Sequence, residues 1–414
     1  MHSAKQRNAK ENSDFHLRSR NLRHRSFSRN WVSKRLYDHS VLAMESSLEA
    51  VSFGKSMIIP SVQEMAKESM TKIPPRYERP DQDPSIISAE ASLLLSPIPV
   101  IDLERLTIED SMDSELHSLH SACREWGFLP GVVNHRVSSA LLEEFKKQVE
   151  NFFKLPYEDK KRLWQKPDNH EGFGQLFVVS EEQKLDWSDM FYVTTLPIYL
   201  RMSDLFDKLT PNLRETLETY STEVKKLARE ILGHMAKGLK MDAEEMKELF
   251  SDGVQSIRMN YYPPCPEPEK TIGFSPHSDA DALTILFQLS DTEGLEIRKE
   301  GRWIPVKPLP NAFVVNVGDI TEIISNGVYR SVEHRAKVNS AKERLSVATF
   351  YSSNLDSVLG PAPSLLGKHN PAIFRSVPTE KYFKEFFSRK LDGKSYLECL
   401  RIADGEDNTA AEHV

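Results

Sequence analysis

The half of the chain that follows Asp252 is dominated by short segments rich in Val, Ile, Thr, Phe and Tyr. Gly, Pro, Asn or Asp separates them every eight to twelve residues, a spacing typical of antiparallel strands joined by turns. The candidate strands are Ser256–Tyr262, Leu283–Leu289, Leu295–Arg298, Trp303–Val306, Ala312–Val317, Ser331–Lys337 and Arg344–Phe350. Glu300 and Gly301 form a hairpin turn between two of them. Seven such strands favour a double or closed sheet, because this arrangement removes exposed edges.

The region before Asp252 carries helical periodicity instead. Its apolar residues recur at spacings of three and four, and Pro211 stands where a first-turn proline opens the longest helix. The predicted helices are Ser61–Thr71, Ser114–Trp126, Ser138–Phe153 and Pro211–Leu239, and the predicted short strands are Pro99–Leu103 and Gly127–Asn134. The fold class is therefore mainly β with flanking helices: a double-stranded β-helix (jelly-roll) core with an α-helical N-terminal region.

Five segments follow from these patterns. Residues 1–43 form a basic extension and residues 44–98 an N-terminal arm. Residues 99–250 form a region of helices and short strands, and residues 251–354 form the jelly-roll core. Residues 355–414 add C-terminal helices and a disordered acidic tail that begins at Asp404.

Charge is distributed unevenly along the chain. The formal net charge is −7, but residues 1–43 contain ten Lys/Arg against three Asp/Glu, which leaves about −14 on the remainder. The acidic body argues against nucleic acid as a partner, and the basic segment has no interleaved aromatic pattern that would indicate base stacking. The basic segment is interpreted as a disordered extension, and an organelle transit peptide is the alternative, although Glu11 and Asp14 weaken that match.

Three cysteines and the absence of a long apolar run bear on localisation. Cys123, Cys265 and Cys399 lie far apart without CxxC spacing, as expected in a reducing compartment. No run of about 18 apolar residues could cross a membrane. These features predict a cytoplasmic protein without a membrane partner. We also expect a monomer and, from the acidic body, no nucleic-acid partner.

A candidate metal site lies within the predicted strands. His277 and Asp279 are two residues apart, and in a strand such residues point to the same face. His334 follows after 54 intervening residues and can join them only if its strand lies beside the first. Two imidazoles and one carboxylate suit Fe(II) with open coordination positions, whereas zinc favours a closed tetrahedral set. Alone, an HxD pair is common in surface loops.

A second polar pair strengthens the metal interpretation. Arg344 and Ser346 share one face of the last strand, and Asn260 and Tyr262 share one face of an earlier strand. A guanidinium inside a barrel needs an anionic partner, and a carboxylate matches its planar fork. The competing interpretation is an ion pair with a core Asp or Glu. The register of Arg344 against the His-Asp-His set favours a carboxylate cosubstrate.

Several motifs in the predicted strands resemble those of a known family. Between Arg258 and Phe350 the chain reads RMNYYPPCP, SPHSDADALTIL, LPNAFVVNVGDITEIISNGVYRSVEHRA and KERLSVATFY. These motifs resemble plant 2-oxoglutarate- and Fe(II)-dependent dioxygenases, in the senescence-related, norcoclaurine-synthase-like and codeine O-demethylase-like branch. The resemblance extends from Ile59 to Ile402 and includes PVIDL and SRKLDGKSY.

The resemblance implies a role for each matching residue. It implies iron ligation by His277, Asp279 and His334. It implies that 2-oxoglutarate is bound by Arg344 and Ser346, with Tyr262 and Asn260 nearby. Phe350 resembles a position that stacks on aromatic substrates. The implied cofactors are Fe(II), 2-oxoglutarate and O2, with ascorbate in support.

One segment departs from the family pattern. Phe128 to Arg136 reads FLPGVVNHR, with one extra residue and with Arg136 where the family has Gly. Pro130 removes a ladder donor from a strand, and Arg136 would be strained at a position that needs φ > 0. A tolerated bulge and a misassigned exon junction are both open explanations.

The implied reaction is hydroxylation or O-demethylation of a small aromatic specialised metabolite of alkaloid or flavonoid type, with release of succinate and CO2. Phe350, Phe173 and Phe191 are the candidates for lining the substrate pocket, although core packing is an equal alternative for Phe173 and Phe191. Gly172 and Gly174 place Phe173 in a predicted loop near the site. Two other functions remain open: an ascorbate-dependent oxidase of the same fold, and a non-catalytic small-molecule-binding homologue.

Overall fold

The computed structural model describes residues 56–68, 70–80, 83, 85, 98–166 and 169–403. The predictions made for the basic extension at residues 1–43 and for the tail from Asp404 lie outside the described residues. Within the described ranges, no helix has the length and apolar character that a membrane crossing requires.

Two facing sheets form the body of the protein. The strands are β1 Ile101–Asp102, β2 Phe128–Val133, β3 Gly172–Gly174, β4 Asp189–Leu196, β5 Gln255–Tyr262, β6 Phe274–His277, β7 Leu283–Gln288, β8 Leu295–Lys299, β9 Arg302–Pro305, β10 Phe313–Val317, β11 His334–Ala336, β12 Arg344–Tyr351, β13 Val358–Leu359 and β14 Val377–Pro378. The larger sheet has the order β1-β2-β10-β7-β12-β5-β4-β3, the smaller has the order β6-β11-β8-β9, and β13 pairs with β14. The predicted jelly-roll core is confirmed.

Helices cover the larger sheet, as predicted. They are α1 Val62–Lys67, α2 Glu109–Glu125, α3 Ser139–Lys154, α4 Tyr157–Lys161, α5 Ser203–Phe206, α6 Pro211–Leu239, α7 Ala243–Leu249, α8 Asp319–Ile324, α9 Thr379–Phe387 and α10 Ser395–Glu398. The helix α6 has the predicted bounds, with Pro211 at its first position. It contacts α2, α3 and the strands β4, β7 and β12, and Tyr220 stacks on Phe145 with 4.0 Å between ring centroids. This packing buries one face of the sheet and leaves its other face toward the barrel interior.

The N-terminal arm is attached to the sheet by a buried carboxylate. Ser61 caps α1 by accepting a hydrogen bond from the backbone N–H of Glu64. Asp189, the first residue of β4, accepts hydrogen bonds from the Ser61 hydroxyl at 2.5 Å and from the backbone N–H groups of Val62 and Gln63 at 2.9 Å each. The helix predicted over Ser61–Thr71 is therefore real but shorter, and its first turn is fixed against the barrel.

The sequence prediction was wrong for two neighbouring strands. Gly172–Gly174, predicted as a loop, is the edge strand β3, and the strand β4 was not predicted at all. Seven of the eight β4 residues are buried, so the segment has none of the alternation on which strand prediction relies. The glycines of β3 adopt φ values of 126° and 149°, and a Cβ on Gly172 would lie 2.7 Å from the carbonyl oxygen of Leu163. These glycines therefore allow β3 to lie close to the segment at Leu163, and they do not form a mobile loop.

The irregular segment at Phe128–Arg136 is accommodated by a bulge. Between the pairs Val132↔Phe313 and Leu129↔Val315, β2 advances three residues while β10 advances two. The extra residue thus lies at Pro130 and Gly131, beyond the reach of β1, which pairs only with Val132 and Val133. Arg136 has φ 59°, as its place in the pattern predicted. A tolerated bulge is therefore the explanation that the geometry supports.

Gly127 and Gly301 allow the energetic cost of a left-handed backbone to be distinguished from the cost of steric crowding. Both Gly127 (φ +61°) and Gly301 (φ +75°) are left-handed, and Gly301 completes the predicted Glu300-Gly301 hairpin turn. A Cβ on Gly127 would lie 1.9 Å from the carbonyl oxygen of Arg330, whereas a Cβ on Gly301 meets nothing within 4 Å. We expect Gly301→Ala to lower the free energy of unfolding by about 1 kcal/mol. Gly127→Ala should lower it by about 3 kcal/mol or more, because the chain must also move.

Urea unfolding followed by circular dichroism measures both variants against the wild type. Equal losses in the two variants would contradict the close approach of Gly127 to the Arg330 carbonyl group.

Candidate functional site

Three potential metal ligands converge at one end of the smaller sheet. His277 is the last residue of β6 and His334 the first residue of β11, and the antiparallel register places them directly opposite each other. The prediction that the strand of His334 lies beside that of His277 is confirmed. Asp279, however, lies two residues beyond the end of β6 and not in the strand, so the argument from alternating strand faces was wrong for this residue. A hydrogen bond from the Asp319 N–H to the Asp279 carbonyl oxygen, at 2.8 Å, positions the loop.

The ligand atoms are close enough to share one ion. The Nε2 atoms of His277 and His334 lie 3.4 Å and 3.7 Å from Oδ1 of Asp279, and the three ligand atoms are all within 4.8 Å of one another. All three residues are buried. Two imidazoles and one carboxylate on one side of an ion leave its other coordination positions open, which suits Fe(II) in a site that also binds small ligands.

Further hydrogen bonds orient these ligands. The Nδ1 atoms of His277 and His334 lie 2.7 Å and 3.2 Å from the carbonyl oxygens of Ser275 and Val332, so an Nδ1–H would leave each Nε2 lone pair facing the ion. The Thr284 hydroxyl donates to Oδ2 of Asp279 at 2.6 Å. This bond occupies one carboxylate oxygen and leaves Oδ1 toward the two imidazoles.

The electrostatics of the cluster favour the forms that bind metal. Burial by itself would raise the pKa of Asp279, but the neighbouring imidazoles and the Thr284 hydroxyl together hold this pKa well below its ordinary value. Burial lowers the pKa of His334 to about 4, despite the opposing influence of Asp279. An ionised carboxylate and a neutral imidazole are the forms required of metal ligands.

A buried guanidinium faces the same cavity from the larger sheet. Strand register pairs Arg344 with Tyr262 and Ser346 with Asn260, and all four side chains line the cavity with the metal ligands. The Arg344 nitrogens reach only neutral partners: Ser346 Oγ at 3.5 Å and Gln288 Oε1 at 3.3 Å. Among the described residues no carboxylate lies within ion-pair distance of Arg344, so the alternative of a core ion pair is wrong. The arrangement suits an anionic ligand that reaches the metal.

Sequence reasoning missed a second buried guanidinium. Arg258 lies on the same face of β5 as Asn260 and Tyr262, so the alternation that identified those two residues also contained the signal for this one. Its Cζ lies 3.8 Å from the ring centroid of Phe274, and its buried Nε has no hydrogen-bond partner. Burial lowers the pKa of Arg258 from its ordinary value.

An apolar cavity adjoins the metal site. It shares Arg258, Phe274 and Phe350 with the polar cavity and continues between the strands and the C-terminal helix α9. Its remaining apolar walls are Leu176, Phe177, Tyr192, Phe386, Phe387 and Leu391. Besides the potential metal ligand Asp279, the carboxyl group of Asp281 lines it, and burial raises the pKa of Asp281 to about 7. The structure thus places Phe350 where substrate contact was predicted.

The other two predicted pocket residues lie elsewhere. Phe173 and Phe191 are a cross-strand pair on the outer face of the sheet and are almost wholly buried. Phe152 of α3 packs on both, with ring centroids 6.3 Å and 5.0 Å away. Core packing, the alternative interpretation, accounts for both, because alternation along β4 directs Tyr192 and not Phe191 to the cavity.

Comparison with known families identifies two matched regions. Residues 253–353 match the 2OG-Fe(II) oxygenase superfamily, and residues 98–212 match the N-terminal domain described as non-haem dioxygenase in morphine synthesis. Among curated proteins, the chain is 51% identical to Protein SRG1 of Arabidopsis thaliana over 84% of this chain and 97% of that protein. It is 48% identical to oxoglutarate-dependent flavonoid 7-O-demethylase 1 of Ocimum basilicum, over 86% and 94% of the two chains.

A further relative and a solved structure are also similar to this chain. Codeine O-demethylase of Papaver somniferum is 47% identical over 85% of this chain and 98% of that protein. Among solved structures, JOX2 in complex with 2OG, Fe and JA superposes with a TM-score of 0.76 at 35% identity, covering 84% of this chain and 100% of that chain.

The hydrogen bond from Thr284 to Asp279 provides a test of the metal site. Thr284→Val removes the donor without changing the shape of the side chain, so Oδ2 is no longer held and Oδ1 is oriented less firmly. We expect the affinity for Mn(II) or Fe(II) to fall roughly 10–100-fold. Competition with a chromophoric chelator measures the dissociation constant.

Thr349→Val is the matched control, because the Thr349 hydroxyl lies 3.4 Å from that of Tyr220 on the outer face of the same sheet. An unchanged metal affinity in Thr284→Val would show that this hydroxyl does not position the ligand.

Proposed function

This chain belongs to the 2OG-Fe(II) oxygenase superfamily, and we propose that it hydroxylates or O-demethylates a small aromatic specialised metabolite. It is a dioxygenase that uses Fe(II), 2-oxoglutarate and O2. The single observation that carries the proposal is a pair of adjoining cavities that share His277, Asp279 and Phe350: one contains the His-Asp-His cluster and the Arg344 guanidinium, which has no carboxylate partner among the described residues, and the other is mainly aromatic.

The residues present fit the cofactor and cosubstrate. We assign iron ligation to His277, Asp279 and His334, whose donor set suits Fe(II). We assign the distal carboxylate of 2-oxoglutarate to Arg344 and Ser346, because this buried guanidinium has no carboxylate partner among the described side chains. Asn260 and Tyr262 line the same cavity beside Arg344 and Ser346. The buried Oδ1 of Asn260 has no hydrogen-bond partner among the described residues.

The protein's part in the reaction is orientation and exclusion of water. When bound, iron supplies the oxidising chemistry, in which 2-oxoglutarate is decarboxylated to succinate and CO2 and one oxygen atom of O2 enters the substrate. Thr284 holds the Asp279 carboxylate, and the backbone carbonyl groups of Ser275 and Val332 hold the two imidazoles. Phe350 lies between the polar and apolar cavities, where it can hold an aromatic ring beside the reacting centre.

The apolar chamber supports an aromatic substrate. Aromatic and aliphatic walls with few polar groups are typical of sites for small apolar ligands. Two relatives that are nearly half identical to the chain are named as O-demethylases of a flavonoid and of codeine. On a methoxyarene, insertion of oxygen into a methyl C–H bond gives a hemiacetal, which releases formaldehyde and leaves the phenol. Hydroxylation at another carbon would leave the methyl group in place.

A two-stage experiment tests the proposal. Fe(II) and 2-oxoglutarate are first added without oxygen, and the visible charge-transfer band of their chelate is recorded. The enzyme is then given O2 and a panel of methoxylated alkaloids and flavonoids, and succinate and formaldehyde are measured. Succinate with formaldehyde indicates demethylation, and succinate with a heavier product indicates hydroxylation. Absence of both the band and succinate formation would refute 2-oxoglutarate as cosubstrate and favour an ascorbate-dependent oxidase of the same fold.

The geometry of Arg344 generates a sharper prediction. Arg344→Lys keeps the charge but loses the planar pair of N–H donors, so the KM for 2-oxoglutarate should rise roughly 10–100-fold. Steady-state succinate formation at varied 2-oxoglutarate concentration measures it, with the iron affinity expected to stay at the wild-type value.

Arg330→Lys is the control, because the side chain of Arg330 is exposed and outside the cavity. If the two substitutions gave the same KM, another group would have to hold the cosubstrate.

A further inference from the structure

The chamber beside the metal site is built mainly from ring faces and edges. Phe177 and Phe387 stack with an interplanar angle of 4° and 5.6 Å between centroids, and Phe386 meets Phe177 edge to face at 5.6 Å. Tyr192 and Phe350 form the opposite side, 6.4 Å apart. Aromatic faces carry negative electrostatic potential, so such a chamber accepts cations as well as apolar groups.

Apart from the proposed metal ligand Asp279, one carboxyl group lines this chamber. Asp281 lines it and is only partly buried. One of its oxygens, Oδ1, accepts a hydrogen bond from the buried Ser352 hydroxyl. Apart from its own backbone N–H, the carboxyl group has no other hydrogen-bond donor among the described residues, and no Lys, Arg or His of those residues lies within ion-pair distance. A carboxylate in apolar surroundings is costly unless a cation or donor pairs with it.

We propose that Asp281 is the counter-ion for a protonated amine of the substrate, held between this carboxylate and the aromatic faces of the chamber. The inference rests on the proposed oxygenase function and narrows its substrate class to aromatic amines of alkaloid type. A tertiary ammonium supplies what the chamber lacks: one N–H donor and a positive charge spread over alkyl groups that pack on aromatic rings.

Arg258 determines the orientation of such a substrate. Its guanidinium lines the same chamber but stacks on Phe274 and lies beyond ion-pair distance of Asp281. The chamber therefore has a positive group and a negative group that do not neutralise each other. An ammonium is repelled by Arg258 and attracted by Asp281, while the oxygen atoms of an oxygenated ring can accept hydrogen bonds from Arg258. A neutral phenol would satisfy Arg258 but would leave the charge of Asp281 without a counter-ion.

Binding to the full chain loaded anaerobically with Fe(II) and 2-oxoglutarate tests the proposal, with calorimetry as the measurement. The probes are a dimethoxy-N-methyltetrahydroisoquinoline, which is protonated at neutral pH, dimethoxytetralin, its uncharged carbocyclic counterpart, and a hydroxylated methoxyflavone. We expect the wild type to bind the amine about tenfold more tightly than the tetralin. This comparison needs no variant and overturns the proposal if the tetralin or the flavone binds as tightly as the amine, or if the amine does not bind.

Asp281→Asn then removes the charge and keeps the shape. We expect it to weaken amine binding about tenfold and to change tetralin binding less than about threefold, while Asp281→Glu retains a preference for the amine. Asp356→Asn, at an exposed position outside the cavity, should bind both probes as the wild type does. Equal effects of Asp281→Asn on both probes would overturn the proposal.

Failure of the proposed function is distinguished by a separate measurement on the same samples. Charge-dependent binding without any succinate formation would support the amine site and refute the oxygenase assignment. Succinate formation without charge-dependent binding would do the reverse.

Discussion

The pairing of β6 with β11 is the constraint on which the rest of the site depends. It brings His277 and His334 face to face although they are far apart in the sequence. From Asp279, two residues after His277, 54 residues intervene before His334. A one-residue slip of β11 would turn His334 away from the cavity, because neighbouring residues of a strand point to opposite faces. Asp279 is positioned differently, by a loop held through the backbone of Asp319 and the Thr284 hydroxyl. Two ligands thus depend on strand register and one on a loop.

The cavity between the sheets contains charges that the protein leaves without counter-ions. Arg344 and Arg258 carry a formal charge, Asp281 carries one when it is ionised, and none has an oppositely charged partner within ion-pair distance among the described residues. Removing a charged group from water without a partner costs free energy. A ligand that pairs with such a group therefore gains more binding free energy than it would by contacting a group that is already paired. A large part of the free energy of ligand binding can come from completing these pairs. Affinity and specificity then have the same origin.

Much of this arrangement could be predicted from the sequence, and the failures have physical causes. Arg344, Ser346, Asn260 and Tyr262 were predicted to share the cavity because strand alternation is local and strict. For Phe191 the choice between pocket and core stayed open because β4 is buried on both faces, so its sequence does not distinguish the face toward the cavity from the face toward α3. Asp281 and the rings of α9 meet through contacts distant in sequence, which periodicity cannot reveal. The local pattern identified the chemistry, and long-range packing determined the shape of the chamber.

The C-terminal segment connects that shape to the metal site. Gly393 exchanges backbone hydrogen bonds with the β6 end, accepting from Ser278 N–H at 3.3 Å and donating to the Pro276 carbonyl at 3.2 Å. Lys394 pairs with the buried Glu322 at 2.6 Å, which fixes the same segment against α8. The helix α9, just before it, supplies Phe386 and Phe387 to the chamber. Because the attachment near the proposed iron ligands uses backbone groups, side chains of α9 can change the chamber without changing the groups that we assign to the metal.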